Sequence, residues 1–223
     1  LIAYLVFLLI ATIGIVYGNI IIADYPSLRI WKFSNLLVMM AGIPFVLFQS
    51  WSGIPDFLDR KISNRERYIY PVVVGLIFGI LDLVVIRFFL HPEAYNEMPP
   101  FIQPFPYSVF LYFSGAFEVE VFYRLVPLTI ILLIGKIFQK GRYLNAFFIA
   151  GAILTSLREP LEQMPSGPGW FTAYSLITGF LMNLMQAIFF RKSGFISSLS
   201  LRLGHYLIWH ILHGIYIQLV ELP

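Results

Sequence analysis

The sequence predicts an all-α fold, a polytopic transmembrane helical bundle of about seven spans, on three observations. Its 223 residues are 59% hydrophobic, with a mean hydropathy of +0.80. Only 12% are charged, against roughly 25% in an average soluble domain. Apolar runs of about 20 residues, the length that crosses a bilayer core of about 30 Å, recur along the whole chain between short polar links. Little is left over for a soluble domain, so residues 1–223 read as a single integral membrane domain whose first partner is the lipid bilayer. The chain has no cysteine, which excludes disulfides, iron–sulfur ligation and a thiol nucleophile. A net charge of +3 forms no basic stripe, and no nucleic-acid partner is expected.

Taken in order, a first span covers Leu1 to about Ile22, and the link Asp24–Lys32 carries Pro26, Arg29 and Lys32. A second, short span covers Asn35–Phe48 and is kinked by Gly42 and Pro44. The polar stretch Ser52–Arg67 holds Arg60, Lys61, Arg65 and Arg67. The third span, Val72–Leu90, embeds Asp82 and Arg87, read as compensating each other locally. His91–Tyr107 has five prolines, two acids and neither lysine nor arginine. The fourth span, Ser108–Ile134, precedes Lys136, Lys140 and Arg142. The fifth runs from Leu144 to Arg158, and Glu159–Trp170 is acidic and rich in Pro and Gly. The sixth, Phe171–Phe190, is followed by Arg191-Lys192-Ser193-Gly194 and a last span, Ser197–Leu219. Basic residues thus fall in alternate loops, and the positive-inside rule puts the N-terminus in the cytoplasm and the C-terminus outside. The link with Arg29 and Lys32 departs from that pattern.

The stretch Phe117-Glu118-Val119-Glu120-Val121-Phe122-Tyr123-Arg124 puts two carboxylates and a guanidinium inside the fourth span. Each charge near a bilayer centre costs roughly 2.5–3.5 kcal/mol, so each needs a partner, water or a task. Glu120 and Arg124 stand at i and i+4 and are predicted to pair; Glu118 lies round the helix and needs another partner. Pro127 has no N–H, which frees the carbonyl of Tyr123 and predicts a bend beside the motif.

At about 1.5 Å per residue, Glu120 lies roughly 18 Å below the outer end of its span, level with His205 on the last one. His210 lies near the level of Glu118. Three of the four histidines (His205, His210, His213) share that last helix. A carboxylate meeting one or two imidazoles in a dry cavity binds a divalent metal such as zinc or acts as a base on water. Intramembrane histidines also serve simply as hydrogen-bonding links between helices, as do Asn183 and Gln186 in the sixth span.

The run Gly115…Glu118-Val119-Glu120-Val121-Phe122-Tyr123-Arg124-Leu125 resembles the first motif of the CPBP family, the CAAX prenyl proteases and bacteriocin-processing enzymes. That motif has two adjacent glutamates, then arginine after three residues. Glu120 matches the second glutamate, while Glu118 is one residue out of register and needs a local bulge to restore it. The second motif, Phe with His four residues on, is expected within Ile153–Pro160. There Glu159 or Arg158 stands nearest the histidine's place, and Pro160 is expected to end the helix. The last motif is similar to His205…Trp209 or His210…Gly214, after the basic turn Arg191–Phe195. The resemblance spans about Phe110 to Gly214, with residues 108–219 as the motif-bearing helices.

The resemblance implies an intramembrane protease whose glutamate and histidines activate water, with a divalent metal as its possible cofactor. Glu120 or Glu118 would be the base, His205 or His210 would orient water, and Arg124 would anchor the motif. Glu120, His205 and His210 would be the metal ligands, and a membrane-associated peptide or prenylated protein the substrate. The alternative is a non-catalytic member, a scaffold or accessory subunit binding another membrane protein. A proton-relaying transporter would show an inverted repeat, and the sequence has none. The readings separate on the distances from Glu118 and Glu120 to His205 and His210.

Overall fold

The computed structural model describes residues 1–21 and 29–222, and every regular element among them is helical. Seven rods correspond to the seven predicted spans: α1 (Ile2–Ile21), α2 (Phe33–Phe48), α3 (Arg65–Leu90), α4 (Tyr107–Gly141), α5 (Leu144–Glu162), α6 (Gly169–Ser193) and α7 (195–221). Four of them, α1, α3, α4 and α6, are long and apolar enough to cross a membrane. The protein is an all-α bundle with the helices of an integral membrane protein. Large apolar side chains such as Leu9, Ile77, Phe88, Ile134, Leu154 and Ile177 point outward, where lipid, not water, is their natural solvent.

In lipid no hydrophobic effect drives helix against helix, so association rests on close backbone approach and interhelical polar bonds. Both are present where α3 crosses α7. A Cβ at Gly75 would collide with the Leu201 carbonyl, and one at Gly79 would lie 2.8 Å from the His205 carbonyl. Gly204 of α7 returns the favour against Val72. Gly14 and Gly18 of α1 fit the same way onto Phe110 and Tyr107 of α4. Between these seams an aromatic knot closes the core: Phe57 stacks on Phe195 with centroids 4.9 Å apart, and Tyr4 meets Phe117 edge-on at 5.0 Å.

Two prolines shape the helices that carry charge. Pro127 cannot donate, and the preceding turn, Val121–Leu125, widens into a π-helical turn closed by the Val126 N–H on the Val121 carbonyl. Pro71 has the same consequence for Arg65–Ile69, closed by Tyr70 N–H on Arg65. Wide turns of this kind take up a lost i→i+4 bond without breaking the rod. Pro160 does not stop its helix, contrary to expectation: α5 continues to Glu162. The proline ring packs on α6 at Gly179, 3.1 Å from where a Cβ there would sit.

The bundle has two unlike ends. At one, Lys136 Nζ donates to the Trp51 carbonyl (2.7 Å), Arg191 donates to the Gly53 carbonyl, and Ser197 Oγ donates to the Glu66 carbonyl (2.8 Å). The sharp entry into α7 is made at this end by Gly194, whose φ of 84° suits only glycine and whose Cβ would strike the Pro55 carbonyl at 2.8 Å. At the other, the Arg29 N–H donates to Gln103 Oε1 (2.9 Å), and Tyr107 and Tyr112 donate to the Arg29 and Phe101 carbonyls.

Candidate functional site

The carboxylate of Glu120 is at the centre of a buried charge cluster, but its partner is not Arg124. Arg202 of α7 donates from Nε to Glu120 Oε1 at 2.8 Å, and forks from Nη1 and Nη2 onto both oxygens of Glu159 at 2.7 Å each. Gln186 Nε2 also donates to Glu120 Oε1 (2.6 Å), and Ser198 Oγ donates to Oε2. The predicted i,i+4 pair is not formed: a π-helical turn begins directly after Glu120, and Arg124 finds its partners on other elements. Arg124 comes only within 3.6 Å of Glu159. It donates instead to the Asn183 and Gln186 side-chain oxygens and, from Nη1, to the Tyr123 carbonyl at 3.0 Å. That carbonyl is the one Pro127 leaves free, so the proline supplies an acceptor for the neighbouring guanidinium.

Two carboxylates and two guanidiniums, all essentially without exposure, make the cluster electrically neutral. Asn183 and Gln186 pin it, since each amide oxygen accepts from both arginines. Such a charge array is costly to bury and tolerable only when its polar atoms are bonded. Arg202 is the residue that the sequence reading missed. Its signal was present: a lone arginine eight residues past Gly194, one turn beyond Ser198 on the same helical face.

Glu118 stands apart from the cluster. It is half-buried and accepts one long bond, 3.4 Å, from Asn35 Nδ2 of α2. The histidines also lie elsewhere. His205 Nε2 pairs with Asp82 Oδ2 of α3 at 2.7 Å, and Tyr174 of α6 donates to the other Asp82 oxygen at 2.7 Å. Asp82 therefore does not compensate Arg87. Arg87 forks onto Glu221 near the end of α7, reaching one oxygen at 3.3 Å, because its position at i+5 carries it toward the helix end and not toward Asp82. His210 Nδ1 meets the Phe101 carbonyl at 2.8 Å and its ring stacks on Tyr112 at 4.0 Å. His213 packs among Tyr95, Phe101 and Trp209.

The expected meeting of Glu120 with His205 and His210 is thus not formed. Each histidine faces a different partner, and among the described residues no three His, Asp or Glu side chains are placed to hold a metal ion. Glu120, His205 and His210 do not make a zinc site, and a base at Glu120 would find both oxygens already taken. Glu159, the residue nearest the second-motif position, does join Glu120 through Arg202. Glu159, Arg202, His205 and His210 all contribute to the wall of one cavity of about 750 Å³, lined also by Pro99, Pro100 and Phe101.

The class that fold and site define is an all-α integral membrane protein with a neutral, ion-paired core beside a large cavity. No known family, no curated protein and no solved structure matches the chain.

Proposed function

We propose that the protein is a non-catalytic relative of the CPBP family, a membrane scaffold or accessory subunit that binds another membrane protein. One observation carries this reading: Glu120, the counterpart of the family's second glutamate, has both oxygens occupied by Arg202, Gln186 and Ser198. Glu159, nearest to the second-motif position, is likewise held in an ion pair with Arg202. Such a lock gives the bundle a defined polar register and leaves Glu120 no free oxygen to act as a base. The topology that goes with it has seven spans, a cytoplasmic N-terminus and an external C-terminus. The basic end around Trp51, Gly53 and Lys136 then faces the cytoplasm.

A divergent intramembrane endopeptidase is the second reading, favoured by the Asp82–His205 pair, a carboxylate orienting an imidazole on the cavity wall. In that case His205, not Glu120, is the base. Incubating the purified protein in nanodiscs with membrane-anchored peptide and prenylated-peptide reporters decides between the two. The scaffold reading expects no cleavage, and Glu120→Gln and Asp82→Asn to change only thermal stability. Cleavage by the wild type that is lost in Asp82→Asn while the variant stays folded at the assay temperature would establish the protease instead.

A further inference from the structure

The link before α2 places cations at the end of the bundle where the charge pattern predicts none. Arg29 and Lys32 are exposed there, and the backbone of Arg29 is tied into the proline-rich loop through Gln103 and Tyr107. Both side chains line a cavity of about 520 Å³ together with Trp31, Asn35, Tyr112 and His210. Among the described residues neither cation is ion-paired with a carboxylate. The Arg29 guanidinium lies 5.9 Å over the Tyr112 ring. Among the described residues the buried Trp31 indole N–H has no acceptor. Glu118 approaches this wall only through its long bond from Asn35.

His210 stands between this cavity and the larger one. It lines both, as do Tyr206 and Gln163. A carbonyl can only accept, so the His210 Nδ1 that meets Phe101 carries the proton. The larger cavity is walled mainly by apolar groups, among them Tyr95, Pro99, Phe101, Phe171, Met182 and Trp209, with Glu159, Arg202 and His205 on its polar side. The two cavities thus offer an exposed cationic mouth, a shared imidazole and a mainly apolar chamber. A phosphate alone satisfies the mouth and leaves the chamber without an occupant; an apolar chain alone does the reverse.

We propose that the two cavities together hold one anionic phospholipid. Its phosphate sits between Arg29 and Lys32, and an acyl chain passes His210 into the larger cavity. Interfacial lysines and arginines attract anionic headgroups in this manner. The inference does not depend on whether the protein is a scaffold or a protease.

The test uses the whole protein in phosphatidylcholine nanodiscs, titrated with dioleoylphosphatidic acid and followed by thermal melting and native mass spectrometry. One phosphatidic acid is expected to remain bound per chain and to raise the melting temperature. Arg29→Gln/Lys32→Gln is expected to weaken binding roughly thirtyfold, the effect of two interfacial cations. Gly115→Leu, which adds bulk at a site 3.4 Å from Trp31, should weaken it with the charges kept, whereas Arg60→Gln/Lys61→Gln at the opposite end should leave it unchanged. Equal binding by the Arg29/Lys32 double variant would overturn the proposal. So would equal retention of phosphatidylcholine, or stabilisation by inorganic phosphate alone as large as that by the lipid, which would reduce the site to a headgroup pocket.

Discussion

Arg202 and His205 stand one turn apart on α7 and belong to two different kinds of polar site. Arg202 has spent its bonding capacity: its five contacts to Glu120, Glu159, Asn183 and Gln186 lie at 3.2 Å or less. The histidine face beside it is held by single bonds, His205 to Asp82 and His210 to Phe101, and opens on cavities. A helix in lipid can carry a lock and a binding wall at once, provided that the charges are gathered on one side. The contrast also separates stability from function, because substitutions in the lock should unfold the protein and substitutions on the wall should not.

The largest effect is expected at Arg202. Arg202→Met strands two buried carboxylates, and breaking one side of a buried ion pair costs about 3–5 kcal/mol. Arg124→Met should cost clearly less, because Arg124 reaches a carboxylate only at 3.6 Å and otherwise donates to amide and backbone oxygens. Unfolding titrations in detergent measure both. A loss for Arg124→Met equal to that for Arg202→Met would mean that the cluster is held by its summed charge and not by the Arg202 fork.

Next in size is Gly75→Ala at the seam that brings Asp82 of α3 to His205 of α7. The added methyl meets the Leu201 backbone, which cannot swing aside as a side-chain tip can, and overpacking of this kind costs about 1–3 kcal/mol. It is also expected to weaken the Asp82–His205 bond, read as a changed His205 imidazole signal by NMR. Asp82→Asn, which keeps the shape and removes the charge, should cost less, on the order of 0.6–1.7 kcal/mol for an interhelical polar bond in a membrane. An Asp82→Asn loss larger than that of Gly75→Ala would make the histidine face a second lock.

The fold was legible in the sequence because apolar run length and loop charge are local properties, and lipid constrains them strongly. Each predicted span coincides with a helix, four of them long and apolar enough to cross a membrane, and Pro127 marked its freed carbonyl correctly. The site was legible only in part. Glu120, Arg124 and Glu159 were singled out as candidates, and Asn183 and Gln186 as interhelical links, yet their pairing depends on how four helices rotate against one another. Glu120 takes its cationic partner, Arg202, from a helix far along the chain and not from Arg124 four residues on. The histidines were grouped by depth, and depth says nothing about azimuth: His205 turns to α3, while His210 turns to the proline-rich loop. Asp82 and Arg87 look like neighbours along one helix, but each found a better partner across an interface.

The smallest effect sharpens the comparison most, because it concerns the two acids that the sequence puts side by side. Glu118→Gln removes a charge whose one hydrogen bond among the described residues, from Asn35 Nδ2, is 3.4 Å long, in a half-buried position near the mouth of the 520 Å³ cavity. Its stability should stay within about 0.5 kcal/mol of wild type. Glu120→Gln, two residues away, leaves Arg202 with one carboxylate in place of two and should cost several times as much in the same unfolding assay. Removing the Glu118 charge should also strengthen phosphatidic acid binding slightly, since a negative group beside the Arg29 and Lys32 mouth is lost. Similar losses from the two substitutions would contradict the separation between lock and wall, because Glu118 would then have to share the buried network through contacts that Asn35 alone does not provide.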